Sequence, residues 1–123
     1  MTKPEVKKLV KRWQDRLHLG EWTIEVITID GAEINEEGHL AQIQRRVHSL
    51  EARVIVAMHR EASEVEATII HEMLHLVLGE MLAAFRHGVD QLSDQAAAVA
   101  QADFDTAEER TVSRLTLALA ETS

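Results

Sequence analysis

The 123-residue sequence contains no cysteine. This absence excludes disulfide bonds, thiolate metal sites and cysteine nucleophiles together. Any bound metal ion must therefore be held by histidine and carboxylate side chains. Hydrophobic residues make up 46% of the chain and charged residues 28%, which is ordinary for a soluble globular protein. At this length we predict one domain, residues 1–123, with a single hydrophobic core.

Long hydrophobic runs are also missing. No segment approaches the roughly 18 uninterrupted apolar residues that a membrane-spanning helix needs. Residues 1–5 are polar and precede an amphipathic segment, with neither the apolar stretch nor the cleavage site of a secretory signal. We therefore predict a cytoplasmic protein with no membrane partner.

Basic residues are outnumbered, with 13 Lys and Arg against 21 Asp and Glu and a net charge of −8. This balance argues against a general nucleic-acid binder, because phosphate contacts need clustered Lys and Arg. Six of the 13 basic residues lie within residues 1–20, where Glu5 and Asp15 are the acids. We interpret this cluster as the solvated face of a helix, with a weak contact to an acidic partner as the alternative.

Several catalytic patterns are absent: the phosphate-binding glycine loop, the serine nucleophile elbow and the paired CxxC motif. The pattern that is present is His71-Glu72-Met73-Leu74-His75, which matches H-E-x-x-H. Residues four apart lie on one face of a helix, so both imidazoles can reach the same point. Neutral imidazole is a preferred zinc ligand, and the carboxylate of Glu72 can act as general base on a metal-activated water.

The surrounding sequence predicts that this motif lies on a central helix from about residue 64 to about residue 86. Ser63-Glu64-Val65-Glu66 reads as a capping box, and the run that follows has almost no polar face. Two buried imidazoles and a carboxylate would be costly without partners, and a divalent ion removes that cost. We predict one zinc ion per chain. The alternative is a pair of core histidines bonded to backbone carbonyls.

Periodicity predicts the other elements. An amphipathic helix runs from Pro4 to about Gly20, and strands are expected at residues 22–29, 41–47 and 51–58, with a loop at 31–39. Residues 87–104 are ambiguous, and a last helix is expected at about 106–120. The fold class is therefore α+β, with a three-stranded, mainly antiparallel sheet covered by helices.

A catalytic zinc needs a third protein ligand, and our choice is Glu109 on the last helix. A competing role exists, because Thr106-Ala107-Glu108-Glu109 also reads as a capping box. Glu108 is the neighbouring alternative, and His87 is a further one. Asp90 and Asp94 are weaker candidates.

The sequence also lacks tyrosine, a residue that many such enzymes use to stabilise the oxyanion. That role would fall to Arg45, to no residue, or to one of three histidines: His48, His59 or His87.

Three segments resemble the small zinc-dependent metallopeptidases of the zincin superfamily found in bacteria and their phages: residues 13–24, residues 64–78 and the E-x-x-V-x-x-L pattern at residues 109–115. ImmA/IrrE-type peptidases have a comparable closing helix, whose glutamate ligates zinc. The resemblance implies a zincin-like fold and peptide or protein substrates. It implies a minimal gluzincin set, with zinc ligands His71, His75 and Glu109 and general base Glu72.

A second resemblance concerns His87-Gly88, which is similar to the His-Gly third-ligand site of SprT-type and Spartan-type proteases of DNA–protein crosslinks. It implies a DNA-associated metalloprotease with His87 as third ligand. The acidic composition and the fit of the Glu109 helix favour the first resemblance, in which Glu109 is the third ligand. A third possibility is a zinc-binding interaction protein with little turnover.

Overall fold

The computed structural model describes residues 1–31, 34, 39–58 and 61–121. Its elements confirm the predicted α+β class. In chain order they are α1 (Lys3–Arg16), β1 (Thr23–Ile29), β2 (Ala41–Arg46), β3 (Glu51–Ala57), α2 (Ala62–Val77), α3 (Gly79–Val89) and α4 (Asp94–Ala120).

The sheet is mixed, with the strand order β1-β3-β2. β2 and β3 form the predicted antiparallel pair, in a register that runs from Ala41 opposite Val56 to Arg46 opposite Glu51. β1 and β3 are parallel, so the predicted mainly antiparallel sheet is wrong for this pair. The reason is that β3 lies between β1 and β2, and β2 runs in the direction opposite to β1. Because β3 is antiparallel to β2, it is parallel to β1.

Helices α1 and α2 cover one face of the sheet. The core contains Val54 and Val56 of β3, the aromatic side chain of Trp13 on α1, and an apolar set on α2: Val65, Ile69, Ile70, Met73, Leu74 and Leu76. The opposite face of the sheet is polar at one end, where Arg53 donates a hydrogen bond of 3.3 Å to Glu25, and carries the half-buried pair Ile27 and Ile55 further along. The strands therefore bury one face and leave the other partly exposed, as antiparallel sheets commonly do.

Helix α1 is fastened to α2 through Glu66. This carboxylate accepts hydrogen bonds from Arg12 at 2.6 Å and from the indole of Trp13 at 3.2 Å. Helix α1 begins as expected, with Pro4 in its first turn and Thr2 accepting from the amide of Glu5. It ends at Arg16 and not at Gly20.

The motif-bearing helix is shorter than expected. Helix α2 begins at Ala62, so Ser63 lies within its first turn and the predicted capping box is wrong. It ends at Val77, and a bend of 48° separates it from α3. Gly79 follows the bend, where a side chain's Cβ would lie 3.5 Å from Trp22 and 3.5 Å from Val47. Close packing at Gly79 therefore accompanies the bend in the predicted continuous helix.

Helix α4 is longer than expected and includes the ambiguous alanine-rich segment. Its cap is Ser93, which accepts a hydrogen bond of 3.3 Å from the amide of Ala96. Thr106 lies inside the helix and donates to the carbonyl of Ala102 at 3.0 Å, so the predicted capping box at 106–109 is wrong. Glu109 is thereby released from a capping role. Phe85 on α3 stacks on Phe104 of α4, with 4.5 Å between ring centroids.

Within the described residues, no single helix has the length and apolar character to cross a membrane. The two bent helices α2 and α3 would pass such a test only when taken together, by length and composition.

Candidate metal centre

Helix α2 places the two motif histidines one turn apart, on the side that packs against α4. The ring centroids of His71 and His75 lie 5.2 Å apart. The side chain of His75 is 11% exposed and that of His71 is 26% exposed. The spacing of four residues therefore does what the sequence predicted, because it presents both imidazoles to one point.

Glu109 of α4 lies opposite both rings. Its Oε2 is 3.3 Å from Nε2 of His71, and its Oε1 is 2.9 Å from Nε2 of His75. One ligand atom from each of the three residues lies within 4.8 Å of the others. The structure thus brings together the three predicted ligands. The Glu109 side chain is 58% exposed, so the cluster is open to solvent on that side.

The chemistry of this donor set suits a zinc ion. Two imidazole nitrogens and one carboxylate form a known catalytic zinc set, which leaves a fourth position open. Ligands about 2.0–2.1 Å from a tetrahedral ion are about 3.3 Å from one another. The distance from Nε2 of His71 to Oε2 of Glu109, 3.3 Å, matches that separation, whereas the 2.9 Å contact of His75 ends on the other oxygen, Oε1.

Glu108, the alternative ligand, contacts the other side of the same ring. Its Oε1 lies 2.8 Å from Nδ1 of His75. When Nδ1 carries the proton and donates it to Glu108, Nε2 keeps its lone pair for a metal. Glu108 is thus placed to support the tautomer of His75 that a metal ligand would need, while Glu109 faces the other ring nitrogen, Nε2.

Arg45 of β2 completes this arrangement. It donates a hydrogen bond of 3.0 Å to Oε1 of Glu108 and another to the backbone carbonyl of His75. Burial alone would raise the pKa of Glu108, but the hydrogen bonds from His75 and Arg45, with the positive charge of Arg45, outweigh burial and lower it. Glu108 is thus held as a carboxylate although its side chain is only 6% exposed.

Glu72 lines the same cavity, whose volume is about 510 Å³, as His71, His75 and Glu109. Burial raises the pKa of Glu72, and the positive potential of His75 opposes that rise. Burial also lowers the pKa of His71, against the effect of the Glu109 carboxylate, which raises it. A neutral His71 is the form that binds metal, and a Glu72 of raised pKa is suited to carrying a proton.

The structure does not bring His87 to the cluster. His87 lies on α3 and lines a second cavity together with His48 and Asp90. Asp94 is the exposed first residue of α4.

His59, a candidate for the oxyanion role, lies outside the described residues. Of the other candidates for that role, Arg45 lines both cavities.

Sequence reasoning missed His39, which lines the cavity that Glu72 shares with the candidate ligands; we call it the metal-site cavity. It stands two residues before β2, the strand that forms one wall of that cavity. The available signal was a histidine directly before a predicted strand. The order of the strands, which puts β2 beside the motif, was not available from the sequence.

Comparison of the chain with protein-family models, curated proteins and solved structures gave no match.

Proposed function

We propose that the protein is a zinc-dependent metallopeptidase of the zincin type, in which His71, His75 and Glu109 hold the ion and Glu72 is the general base. The observation that carries the proposal is the convergence of these side chains. Two Nε2 atoms on α2 meet one carboxylate on α4 at 3.3 and 2.9 Å. Glu72 lines the same cavity.

A bound zinc ion supplies a Lewis acid, which polarises a carbonyl group and makes water more acidic. Glu72 accepts a proton from the water molecule as the oxygen of that water bonds to the scissile carbonyl carbon. The same carboxyl then gives its proton to the amine nitrogen as the carbon–nitrogen bond breaks. Burial of Glu72 supports the first transfer, because it raises the pKa of the carboxyl group and so makes the proton easier to take up.

Strand β2 provides a place for an extended substrate. It is an edge strand of the described sheet, and Ala41, Gln42 and Ile43 line the metal-site cavity. The outer edge of such a strand presents backbone N–H and C=O groups that a peptide can pair with. A substrate paired in this way would lie across the cavity with its backbone beside Glu72.

His39 is our choice for the group that donates a hydrogen bond to the substrate carbonyl oxygen. Arg45, which the sequence offered for that role, instead donates to Glu108 and to the carbonyl of His75. His48 and His87 line the other cavity. His39 is exposed and lines the cavity that contains Glu72.

A zinc-binding protein without turnover is the second candidate. The lack of tyrosine and the engagement of Arg45 by Glu108 favour it, because both reduce the groups available to an oxyanion. This candidate shares the metal centre and differs only in the chemistry of Glu72.

The test measures zinc by elemental analysis and peptide hydrolysis on the same samples. We expect about one zinc ion in the wild type and in Glu72→Gln, loss of zinc in Glu109→Ala, and no loss in His87→Ala. Hydrolysis should fall at least about 1,000-fold in Glu72→Gln, an effect of the size seen when an essential catalytic group is removed. Loss of zinc in His87→Ala alone would refute the ligand set. If the wild type binds zinc but hydrolyses no peptide, the second candidate, a zinc-binding protein without turnover, is supported.

A further inference from the structure

A second cavity of about 560 Å³ lies next to the metal-site cavity. Its apolar side is formed by Val47, by the buried Leu82 and by Ala83. Its polar side is rich in basic and imidazole groups: Arg45, Arg46, His48, Arg86 and His87. Asp90 is the acid that lines it. We call this the basic cavity.

Three of its five basic and imidazole side chains are not engaged elsewhere. The side chains of Arg86, His48 and His87 make no hydrogen bond or ion pair within the described ranges 1–31, 34, 39–58 and 61–121. Arg46 has one loose pairing, 3.8 Å from Glu51, and its side chain is 81% exposed. Because Arg45 is paired with Glu108, Arg86 is the arginine of this cavity whose charge no described carboxylate pairs. An unpaired guanidinium in a concave surface attracts carboxylates.

The basic cavity and the metal-site cavity lie along the same strand. Residues 41–43 of β2 line the metal-site cavity, and Arg46 with residues 47–49 line the basic cavity. Arg45 lines both. An extended chain advances about 3.3 Å per residue, so a peptide paired with β2 would pass from one cavity to the other within about four residues.

From this placement we propose that the basic cavity is a specificity subsite that binds a carboxylate of the substrate, about three to five residues from the bond that is cut. The inference rests on the proposed peptidase function and names its substrate class as acidic peptides. A glutamate side chain suits the cavity, because its methylene groups can cover Leu82 and Ala83 while its carboxylate reaches Arg86.

The carboxylate has two possible sources, an internal glutamate or the C-terminus of the peptide. Both offer the same anion to Arg86. Two sets of peptides distinguish these sources. In one set the peptides differ only in the terminal group, free acid or amide, and in the other they differ only in Glu or Gln at one internal position.

The experiment uses zinc-loaded Glu72→Gln protein and fluorescent peptides, whose binding is followed by anisotropy, together with cleavage of the same peptides by wild-type protein. One Glu or Gln is moved through each position on both sides of the cleaved bond. We expect Glu to be bound about three to ten times more tightly than Gln at one position or at adjacent positions, as for a partly exposed charge pair. A preference for the free acid over the amide would assign the terminal carboxylate instead.

Charge reversal at Arg86 tests whether this residue binds the carboxylate. Arg86→Glu should abolish or invert the preference for Glu over Gln. Arg114→Glu is the matched control, since Arg114 is an exposed residue of α4 that does not line the cavity and the change in net charge is equal. The control should keep the preference.

The outcomes separate this inference from the proposed function. Cleavage with no preference for a carboxylate, or a preference that survives Arg86→Glu, overturns the subsite and leaves the peptidase. An Arg86-dependent preference in binding, without cleavage by the wild type, supports the subsite and refutes the peptidase. Failure of every acidic peptide to bind overturns the subsite.

Discussion

The carboxylate of Glu108 lies 2.8 Å from Nδ1 of His75, on the side of the ring opposite to the nitrogen that faces the neighbouring Glu109. Two adjacent residues of one helix thus hold the two nitrogens of one imidazole. Glu108 orients the ring through Nδ1, and Glu109 faces Nε2, the nitrogen that would bind the proposed metal ion. Removal of Glu108 and removal of Glu109 should therefore affect the proposed metal centre differently.

Glu108→Gln should weaken zinc binding without abolishing it. Hydrogen-bond partners of ligating histidines typically contribute about 10- to 100-fold to metal affinity, and we expect a loss in that range. Competition with a chromogenic chelator would measure it. Glu80→Gln is the control, because Glu80 is an exposed carboxylate of α3 away from the cluster. Equal affinities for Glu108→Gln and the wild type would contradict the assigned role of Glu108.

Arg45→Met should destabilise the fold, because it leaves Glu108 buried without its guanidinium partner. The side chains are 17% and 6% exposed, so solvent replaces the lost hydrogen bonds poorly. We expect the free energy of unfolding to fall by about 2–4 kcal/mol, measured by urea denaturation with a chelator present.

A double-mutant cycle of Arg45→Met with Glu108→Gln isolates the interaction. The double variant should lose less than the sum of the single losses, with a coupling of at least about 1 kcal/mol. Strict additivity would show that the pair contributes nothing to stability.

Acid should remove the stability that Glu108 provides. The pKa of Glu108 is lowered in the folded protein, so the unfolded chain binds a proton at a higher pH than the folded chain does. The contribution is complete above the unfolded pKa of about 4.3 and is lost as the pH falls through the lower folded value. Urea unfolding of metal-free wild type and Glu108→Gln from pH 7 to pH 3 measures it. The difference between the two curves should shrink below about pH 4, and a constant difference would count against the ionised pair.

Gly79→Leu should destabilise the protein, whereas Gly88→Leu on the same helix should not. The space beyond Gly79 is bounded by Trp22 and Val47 at 3.5 Å, whereas nothing lies within 4 Å of the Gly88 position. Overpacking costs about 1–3 kcal/mol, and we expect a loss of this size at Gly79 by thermal denaturation. Equal melting temperatures for the two variants would mean that the backbone at the bend after α2 shifts at little cost to make room for the leucine side chain.

The spacing of His71 and His75 was sufficient to predict their convergence, because any regular helix puts residues four apart on one face. The approach of Glu109 required more. It depends on α4 beginning at Asp94 and packing along α2, whereas the alanine-rich segment 95–102 has helix propensity but almost no apolar stripe. The pattern at 106–109 even offered a local use for Glu109 as a cap, which the longer helix removes.

The parallel pairing of β1 with β3 was also beyond the sequence pattern. Alternation in Thr23–Ile29 indicates which side chains face the helices but not the direction of a partner strand. The same limit hid His39, since only the strand order shows that β2 flanks the motif helix. Glu108 illustrates a third limit. Its contact with Nδ1 instead of Nε2 is decided by the packing of two helices, which leaves no trace in the spacing of the residues.

The donor atoms of the metal centre come from two helices that are distant in the chain and are joined through α3. An ion shared by His75 and Glu109 would therefore be a cross-link that closes a long loop, in a protein with no cysteine to make a covalent one. Unlike a disulfide bond, an ion that binds only the native state leaves the unfolded chain unconstrained and adds its own binding energy to folding. An ion at the proposed centre would thus also hold α2 and α4 together.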